Sequence, residues 1–436
     1  MLFLLLPLAL DDDTTAYAEL ARNWFHHGVY GFFRGDTIAP TLIRLPGYPL
    51  FLGAVFSVFG EHLRAAVVLQ ALADVAGCWL LWNCARTEFS RRAGWTVLLL
   101  AVFCPFTAVY AVTGLTESLS VFCGSLGIWA LARLVRAARA GAKLLGPLLA
   151  LAAAMGYGML LRPDGVLLTA AFCAGLFWTT RSAGVGRALR LAVTCGVLAV
   201  LPLLPWAVRN YRTFHVVQPL APRYVNNPDE FAPVGFFRWM RTWSVNFVDA
   251  GTVFWNLNST IDSEDVPARA CSTEAQCRQT RALIEQHNQH QAVTPELDVK
   301  FAALAAQRIR AQPLRYYLVL PAWRVVDMWL WPRTERFPVN IWWWKDIKDH
   351  PRDSAIAAGL GLLNLAYLGL AVWGFARRTV PLKGVLLTYI LLRCLLLGTM
   401  ENPEQRYTLM MFPMVFLAAG CALDRRAAIH AEPKPG

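Results

Sequence analysis

Met1-Leu2-Phe3-Leu4-Leu5-Leu6-Pro7-Leu8-Ala9-Leu10-Asp11-Asp12-Asp13 opens the chain, an apolar run that ends on three carboxylates. Working outward, apolar blocks recur at 63–84, 94–112, 117–135, 144–161, 165–180, 188–208, 354–376, 383–400 and 405–423. Blocks of about 17–25 apolar residues have the length a helix needs to cross a bilayer. The composition agrees: 56% hydrophobic and 16% charged, against roughly 45–50% and about 25% in soluble domains. The sequence therefore predicts an all-α polytopic membrane protein. Counting residues 1–10 gives about ten transmembrane helices, with both termini cytoplasmic. Ten residues rise only about 15 Å as helix, so that first helix is either a stub or the end of a longer one. A cleaved signal peptide fits poorly, because a basic n-region and a small-residue cleavage site are missing.

The formal net charge is +12, a balance that elsewhere points to nucleic acid. Its distribution argues otherwise. Arg86, Arg91 and Arg92 fall in one connecting loop; Arg133, Arg136, Arg139 and Lys143 in the next on that side; then Arg181, Arg187 and Arg190; then Arg377, Arg378 and Lys383; then Arg425, Arg426 and Lys434 in the tail. The intervening short turns carry almost none. This is the positive-inside pattern, so the charge reports orientation and contact with membrane lipids, with no nucleic-acid partner.

Three regions follow. Residues 1–208 form an N-terminal transmembrane module whose first external loop is 11–62. Residues 209–353 form a large extracytoplasmic loop domain, too long and too polar to be a plain connection. Residues 354–436 hold the last transmembrane helices and a cytoplasmic tail. Two apolar stretches, 46–60 and 314–331, break the sidedness of the basic loops if either crosses alone, so both are expected to lie in the interface or to re-enter. The second carries Arg315, Arg324 and Asp327, and Trp323, Trp329, Trp331 and Trp342 to Trp344 suit the headgroup layer. Helical patterns occupy 273–289 and 296–312, the latter introduced by Thr294-Pro295-Glu296. Eight of the ten cysteines lie in or beside apolar blocks and read as small core residues. Cys271 and Cys277 stand together in a polar region and can form a disulfide.

The unusual charges at helix ends fall on the outer side: Asp11 to Asp13, Arg44, Glu117, Arg162, Asp164, Arg209, Glu401, Glu404 and Arg406. Charged residues in or near membrane segments are costly and tend to be functional. Arginine stays charged and grips phosphate with two parallel bonds, and a carboxylate among arginines suits a general base. The bland alternative is a set of interhelical salt bridges without a substrate. Glu117 also reads as an acid favoured at a helix N-terminus, and Asp164 likewise.

Asp13-x3-Tyr17-x3-Ala21 with Gly28-x-Tyr30-Gly31-Phe32 resembles the first external loop of the membrane-embedded GT-C glycosyltransferases. That clan includes protein O-mannosyltransferases, their bacterial dolichyl-phosphate-mannose-dependent relatives, and the aminoarabinose transferases that act on lipid A. Arg44-Leu45-Pro46-Gly47-Tyr48-Pro49-Leu50-Phe51-Leu52 resembles the next segment. Leu161-Arg162-Pro163-Asp164-Gly165, Pro205-Trp206-Ala207-Val208-Arg209-Asn210-Tyr211 and Arg406-Tyr407 with Pro413 resemble later landmarks. The resemblance implies a glycosyltransferase in a bacterial cell membrane with its active site facing outside. It would move a hexose or pentose from a polyprenyl-phosphate-linked sugar to a lipid, glycan or protein acceptor, usually with inversion. The implied catalytic base or acceptor-orienting group is Asp13 by its spacing to Tyr17, with Asp12 the neighbouring alternative. Arg44, Arg209, Arg406 with Tyr407, Arg162 and Glu117 are the implied substrate-binding residues. The chemistry is expected to need no metal, arginines taking that role; if a divalent cation is used, Mg or Mn on Asp11 and Asp13 would suit hard oxygen ligands. The alternative function is a transporter or flippase of lipid-linked saccharides, which usually shows related halves and midplane charges. A scaffold built on 209–353 is the third possibility.

Overall fold

The computed structural model describes residues 12–345, 347–377 and 380–424. Residues 1–11 and the basic tail from Arg425 lie outside the described residues, so the expected first helix, Asp11 and the cytoplasmic tail are not placed. The chain separates into two compact units. The first runs to Pro228 and also takes in Ala366–Ile390 and the residues from Leu409; the second is Asp229–Leu365 with Leu391–Thr408.

The first unit begins with α1 (Asp12–His27), which carries Asp12 and Asp13 in its first turn, where the helix dipole favours anions. Gly28, at φ +71°, ends it. A hairpin follows, β1 (Gly31–Arg34) antiparallel to β2 (Thr37–Pro40), turning through Gly35 at φ +63°. The sequence reading expected only helices, and this hairpin is a departure from it. Next come α2 (Gly47–Phe59), α3 (Leu63–Glu88), α4 (Arg91–Val102), α5 (Pro105–Ala111), α6 (Glu117–Ala140), α7 (Leu145–Leu161), α8 (Gly165–Thr180), α9 (Val185–Val200) and α10 (Leu203–Phe214). Two expected spans are bent. The chain turns by 57° between α4 and α5 and by 45° between α9 and α10. Each break sits at a proline, Pro105 and Pro202, which cannot continue the hydrogen-bond ladder of the preceding turn.

The second unit holds α11 (Val234–Met240), the short α12 (Phe247–Asp249), α13 (Glu274–His290), α14 (Pro295–Ala311) and α15 (Leu320–Leu330). Its core is aromatic, with Phe236, Trp239, Trp243 and Phe301 wholly buried. The expected helix start at 294–296 is present: Thr294 accepts a bond from the Leu297 amide and Pro295 occupies the first turn. Asp298 in turn caps α11 through the amides of Gly235 and Phe236, at 3.0 and 2.8 Å. A disulfide joins Cys271 and Cys277. Through 314–331 the exposed residues include Leu314, Tyr317, Leu318, Trp323 and Val326, an apolar face suited to the headgroup layer.

α16 (Pro351–Arg377), α17 (Lys383–Leu397) and α18 (Phe412–Ala422) are the last helices among the described residues; α16 and α17 have residues in both units. Among the described residues, four helices are long and apolar enough to cross a membrane: α3, α6, α8 with its following turn, and α16. The two bent pairs raise this to six. The protein is an all-α integral membrane protein, with a single small hairpin among the described residues. The expected count of about ten is not reached by this measure. α7 has 17 residues, α17 has 15, and 405–423 divides into a 3-10 segment and the 11-residue α18.

Candidate active site

Two clusters of buried side chains hold α1 from opposite sides. Ala18 and Ala21 pack with Tyr48, Leu52, Val55 and Phe56 of α2, Ala66 of α3, Leu119 and Cys123 of α6, and Leu161 of α7. Leu20 packs with Tyr30, Leu42, Leu45 and Trp206. The apolar faces of α1 thus fix the direction in which its acidic first turn points.

Asp13 meets Arg44, the guanidinium Nη2 donating to the carboxylate Oδ1 at 2.6 Å. Their side chains are 30% and 27% exposed, so solutes reach both. Asp12, one position earlier, is exposed. A second charged group lies at the junction of α6, α7 and α8. Arg162 donates to Glu117 at 3.1 Å and to the Thr116 hydroxyl at 3.3 Å, and its Nε faces Asp164 at 3.4 Å. Glu117 is almost fully buried, with a side chain 3% exposed. It does stand in the first turn of α6, as the bland reading held, but it also carries this buried ion pair.

Tyr17 joins the two groups. Its phenol is pushed up to about 12, chiefly by desolvation. Arg44 and Arg162 pull the value down while Asp13 and Glu117 push it up. The charges of both groups therefore act on one hydroxyl. Arg44 also lies 5.9 Å from the centre of the Tyr17 ring, and Tyr17 packs edge-on against Tyr48.

Gly47 explains how Arg44 reaches this place. A Cβ there would lie 2.6 Å from the backbone carbon and oxygen of Leu160 and 2.8 Å from the amide nitrogen of Leu161. Only glycine lets the first turn of α2 touch the end of α7. Tyr157 adds a hydrogen bond to the Gly47 carbonyl at 3.1 Å. The Arg-Leu-Pro-Gly-Tyr-Pro run is thus a close-approach device that brings Arg44 beside the turn carrying Arg162.

Arg209 is in the same unit but is engaged differently. It donates to the carbonyls of Tyr30 and Thr41, both at 2.7 Å, and lies 5.2–5.5 Å from the rings of Trp206, Phe214 and Tyr30. It ties α10 to the hairpin. Arg406 and Tyr407 belong to the second unit. There Arg406 pairs with Glu404 at 2.6 Å, the Tyr407 hydroxyl donates to the same carboxylate at 3.0 Å, and Arg393 donates to the Tyr407 carbonyl. The buried Arg393 was not singled out from the sequence, because nothing in Leu391-Leu392-Arg393-Cys394 distinguishes it from any other charge on a helix. Among the described residues no group of three or more His, Cys, Asp or Glu side chains could hold a metal ion. His26 faces Glu61 at 3.3 Å and is exposed.

No curated protein matches the sequence. Matches among solved structures include ArnT from Cupriavidus metallidurans in the apo state. It is 17% identical, with 97% of this chain and 74% of that chain covered at a TM-score of 0.40. ArnT bound to undecaprenyl phosphate matches with a TM-score of 0.41 at the same identity and coverage. The oligosaccharyltransferase AglB from Archaeoglobus fulgidus, in complex with an inhibitory peptide and a dolichol-phosphate, is 12% identical, with 95% of this chain and 46% of that chain covered at a TM-score of 0.49. This chain spans under half the length of AglB. Residues 43–206 match the family described as dolichyl-phosphate-mannose-protein mannosyltransferase. That segment begins one residue before Arg44 and holds Gly47, Glu117, Arg162 and Asp164.

Proposed function

We propose that the protein transfers a sugar from a polyprenyl-phosphate carrier to a hydroxyl of a lipid, glycan or protein acceptor outside the cell membrane, with inversion. The observation that carries this reading is the solvent-reachable Asp13–Arg44 pair beside the Glu117–Arg162–Asp164 group, with Tyr17 under the influence of both. The family matched over 43–206 takes its name from a donor of this class.

In the proposed reaction the acceptor oxygen attacks the anomeric carbon while Asp13 takes the hydroxyl proton. The bond from that carbon to the phosphate oxygen breaks, and the electron pair leaves with the polyprenyl phosphate. Negative charge grows on the phosphate as the bond breaks, so fixed guanidinium groups stabilise the transition state more than the ground state. Arg44 is the first such group and Arg162 the second. Donor binding shifts Arg44 from the Asp13 carboxylate to the phosphate. The same shift frees a carboxylate lone pair for the proton, so one exchange of partners prepares both halves of the chemistry. Arg209 acts by holding the hairpin. Arg406 and Tyr407, with Glu404, are proposed as a substrate-binding group of the second unit, tested separately by Arg406→Gln. The metal-independent form is preferred because arginines can supply the positive charge that a cation would bring; turnover undiminished by EDTA supports it.

The proposed topology is the ten-crossing arrangement, with 209–353 as a loop domain, both termini in the cytoplasm and Asp13 facing outward. The test is purified protein with a radiolabelled polyprenyl-phosphate sugar and cell-envelope acceptors. Transfer that falls by about 10²-fold or more in Asp13→Asn, with melting temperature kept, is the expected result. Undiminished transfer by Asp13→Asn and by Asp12→Asn removes the assignment. Accumulation of intact lipid-linked sugar across a vesicle membrane, with no covalent product, supports the flippase reading.

A further inference from the structure

A cavity opens in the first unit at the end away from the Asp13 group. It has a volume of about 550 Å³, and Glu88, Arg136, Arg139, Thr179, Pro381 and Leu382 line it together with small apolar residues of α6. Those residues come from the C-terminal ends of α3, α6 and α8 and from the approach to α17. Glu117 and Arg139 stand at opposite ends of α6, about 33 Å apart at 1.5 Å per residue, close to the ~30 Å thickness of a bilayer's hydrocarbon layer. The cavity therefore lies at the membrane face opposite the Asp13 group, where the basic loops gather.

Two sets of contacts characterise it. Arg136 pairs with Glu88 and donates to the Thr87 hydroxyl, while Arg139 donates to the Thr179 carbonyl at 3.1 Å. Glu88, the one acid of the lining, is thus matched by Arg136, and Arg139 leaves the lining with a net positive charge. The same helix ends carry three arginines lying over tryptophan rings: Arg86 on Trp82 at 4.5 Å, Arg133 on Trp129 at 4.8 Å and Arg181 on Trp178 at 3.4 Å. Trp178 is 62% exposed. Tryptophans and arginines together at helix ends mark headgroup depth. A positively lined cavity at that depth, with apolar walls, meets a phosphate and the first carbons of its acyl chains together.

We infer that this cavity binds the phosphate headgroup of an anionic membrane phospholipid, Arg136 and Arg139 contacting the phosphate. Arg136 exchanges Glu88 for the lipid. The inference does not rest on the sugar-transfer reading, because its measurement involves neither donor nor acceptor.

The experiment is native mass spectrometry of the detergent-solubilised full chain with phosphatidylglycerol, cardiolipin, phosphatidylcholine or inorganic phosphate added. Retained phosphatidylglycerol or cardiolipin, with little phosphatidylcholine, is expected. Arg136→Gln and Arg139→Gln should each lower retention by about five-fold, and Arg133→Gln, outside the lining, should leave it in place. Glu88→Gln is the decisive variant, because it frees Arg136 and should raise retention, which loss of a purely structural contact would not do. Equal retention of phosphatidylcholine overturns the inference. So does displacement by inorganic phosphate, which would show a free-anion site, and so does retention that Glu88→Gln lowers.

Discussion

Arg44 and Arg162 of the first unit and Arg308 and Arg324 of the second solve the same electrostatic problem in different ways. Arg44 and Arg162 are matched by carboxylates, and the Arg44 pair is about a quarter exposed. Arg324, in the second unit, is wholly buried and donates to the carbonyls of Ser244 at 2.8 Å, Gly398 at 3.0 Å and Arg241. Arg308 is likewise buried, held by the Thr242 hydroxyl, the Gln276 amide oxygen and the Arg269 carbonyl. A carboxylate near solvent can be replaced by a phosphate of similar charge and geometry. Backbone carbonyls fixed by the fold offer no such exchange. The first arrangement suits a substrate; the second is a staple that ties distant stretches of chain together.

That contrast breaks most visibly at Arg324. Arg324→Leu should cost about 3–5 kcal/mol of stability, since three buried carbonyls lose their donor, and thermal unfolding in detergent measures it. A loss below about 1 kcal/mol would remove the staple reading. Arg44→Gln should do the opposite, lowering sugar transfer by about 10²-fold while shifting stability by less than about 1 kcal/mol, the usual worth of an exposed pair. If the two variants behave alike, the distinction fails. Cys271→Ser opens a loop whose ends are six residues apart. Chain-entropy arguments assign such a loop about 2 kcal/mol, a loss confined to stability and readable as a shift in the unfolding midpoint.

The smallest effect sharpens the comparison on the acidic side. Asp327 is pushed up to about 7, first by burial and then by Asp249, against the opposing pull of Arg269. Its Oδ2 is enclosed without a hydrogen-bond partner among the described residues. The folded protein therefore holds a proton there that the unfolded chain releases near pH 4. Stability from this group is highest below about pH 4 and falls as pH rises to about 7. Asp327→Asn should flatten that fall and raise the melting temperature at pH 8 by about 2–4 °C. A variant with an unchanged pH profile would show that the carboxyl is solvated.

The apolar blocks were legible because a bilayer demands a fixed length of apolar helix, and α3, α6, α8 and α16 fall where the blocks predicted. The start of α14 at Thr294-Pro295 was legible because capping chemistry is local. The hairpin at 31–40 was not, since four-residue strands give too short a pattern to outweigh the surrounding helices. The breaks at Pro105 and Pro202 were visible as residues, but their angles depend on the helices packed against them. Among the site residues, Asp13, Arg44, Glu117 and Arg162 could be named from charge at helix ends.

Their partners could not be named in the same way. Charge, apolar length and local caps are properties of neighbouring residues, so the sequence alone determined the membrane class and the short list of acids and arginines. Which arginine meets a carboxylate and which meets a carbonyl depends on residues such as Asp13 and Arg44, 31 positions apart, or Arg324 and Ser244, 80 positions apart. Only the tertiary structure decided that, because the contact exists once helices approach as closely as Gly47 allows and not before.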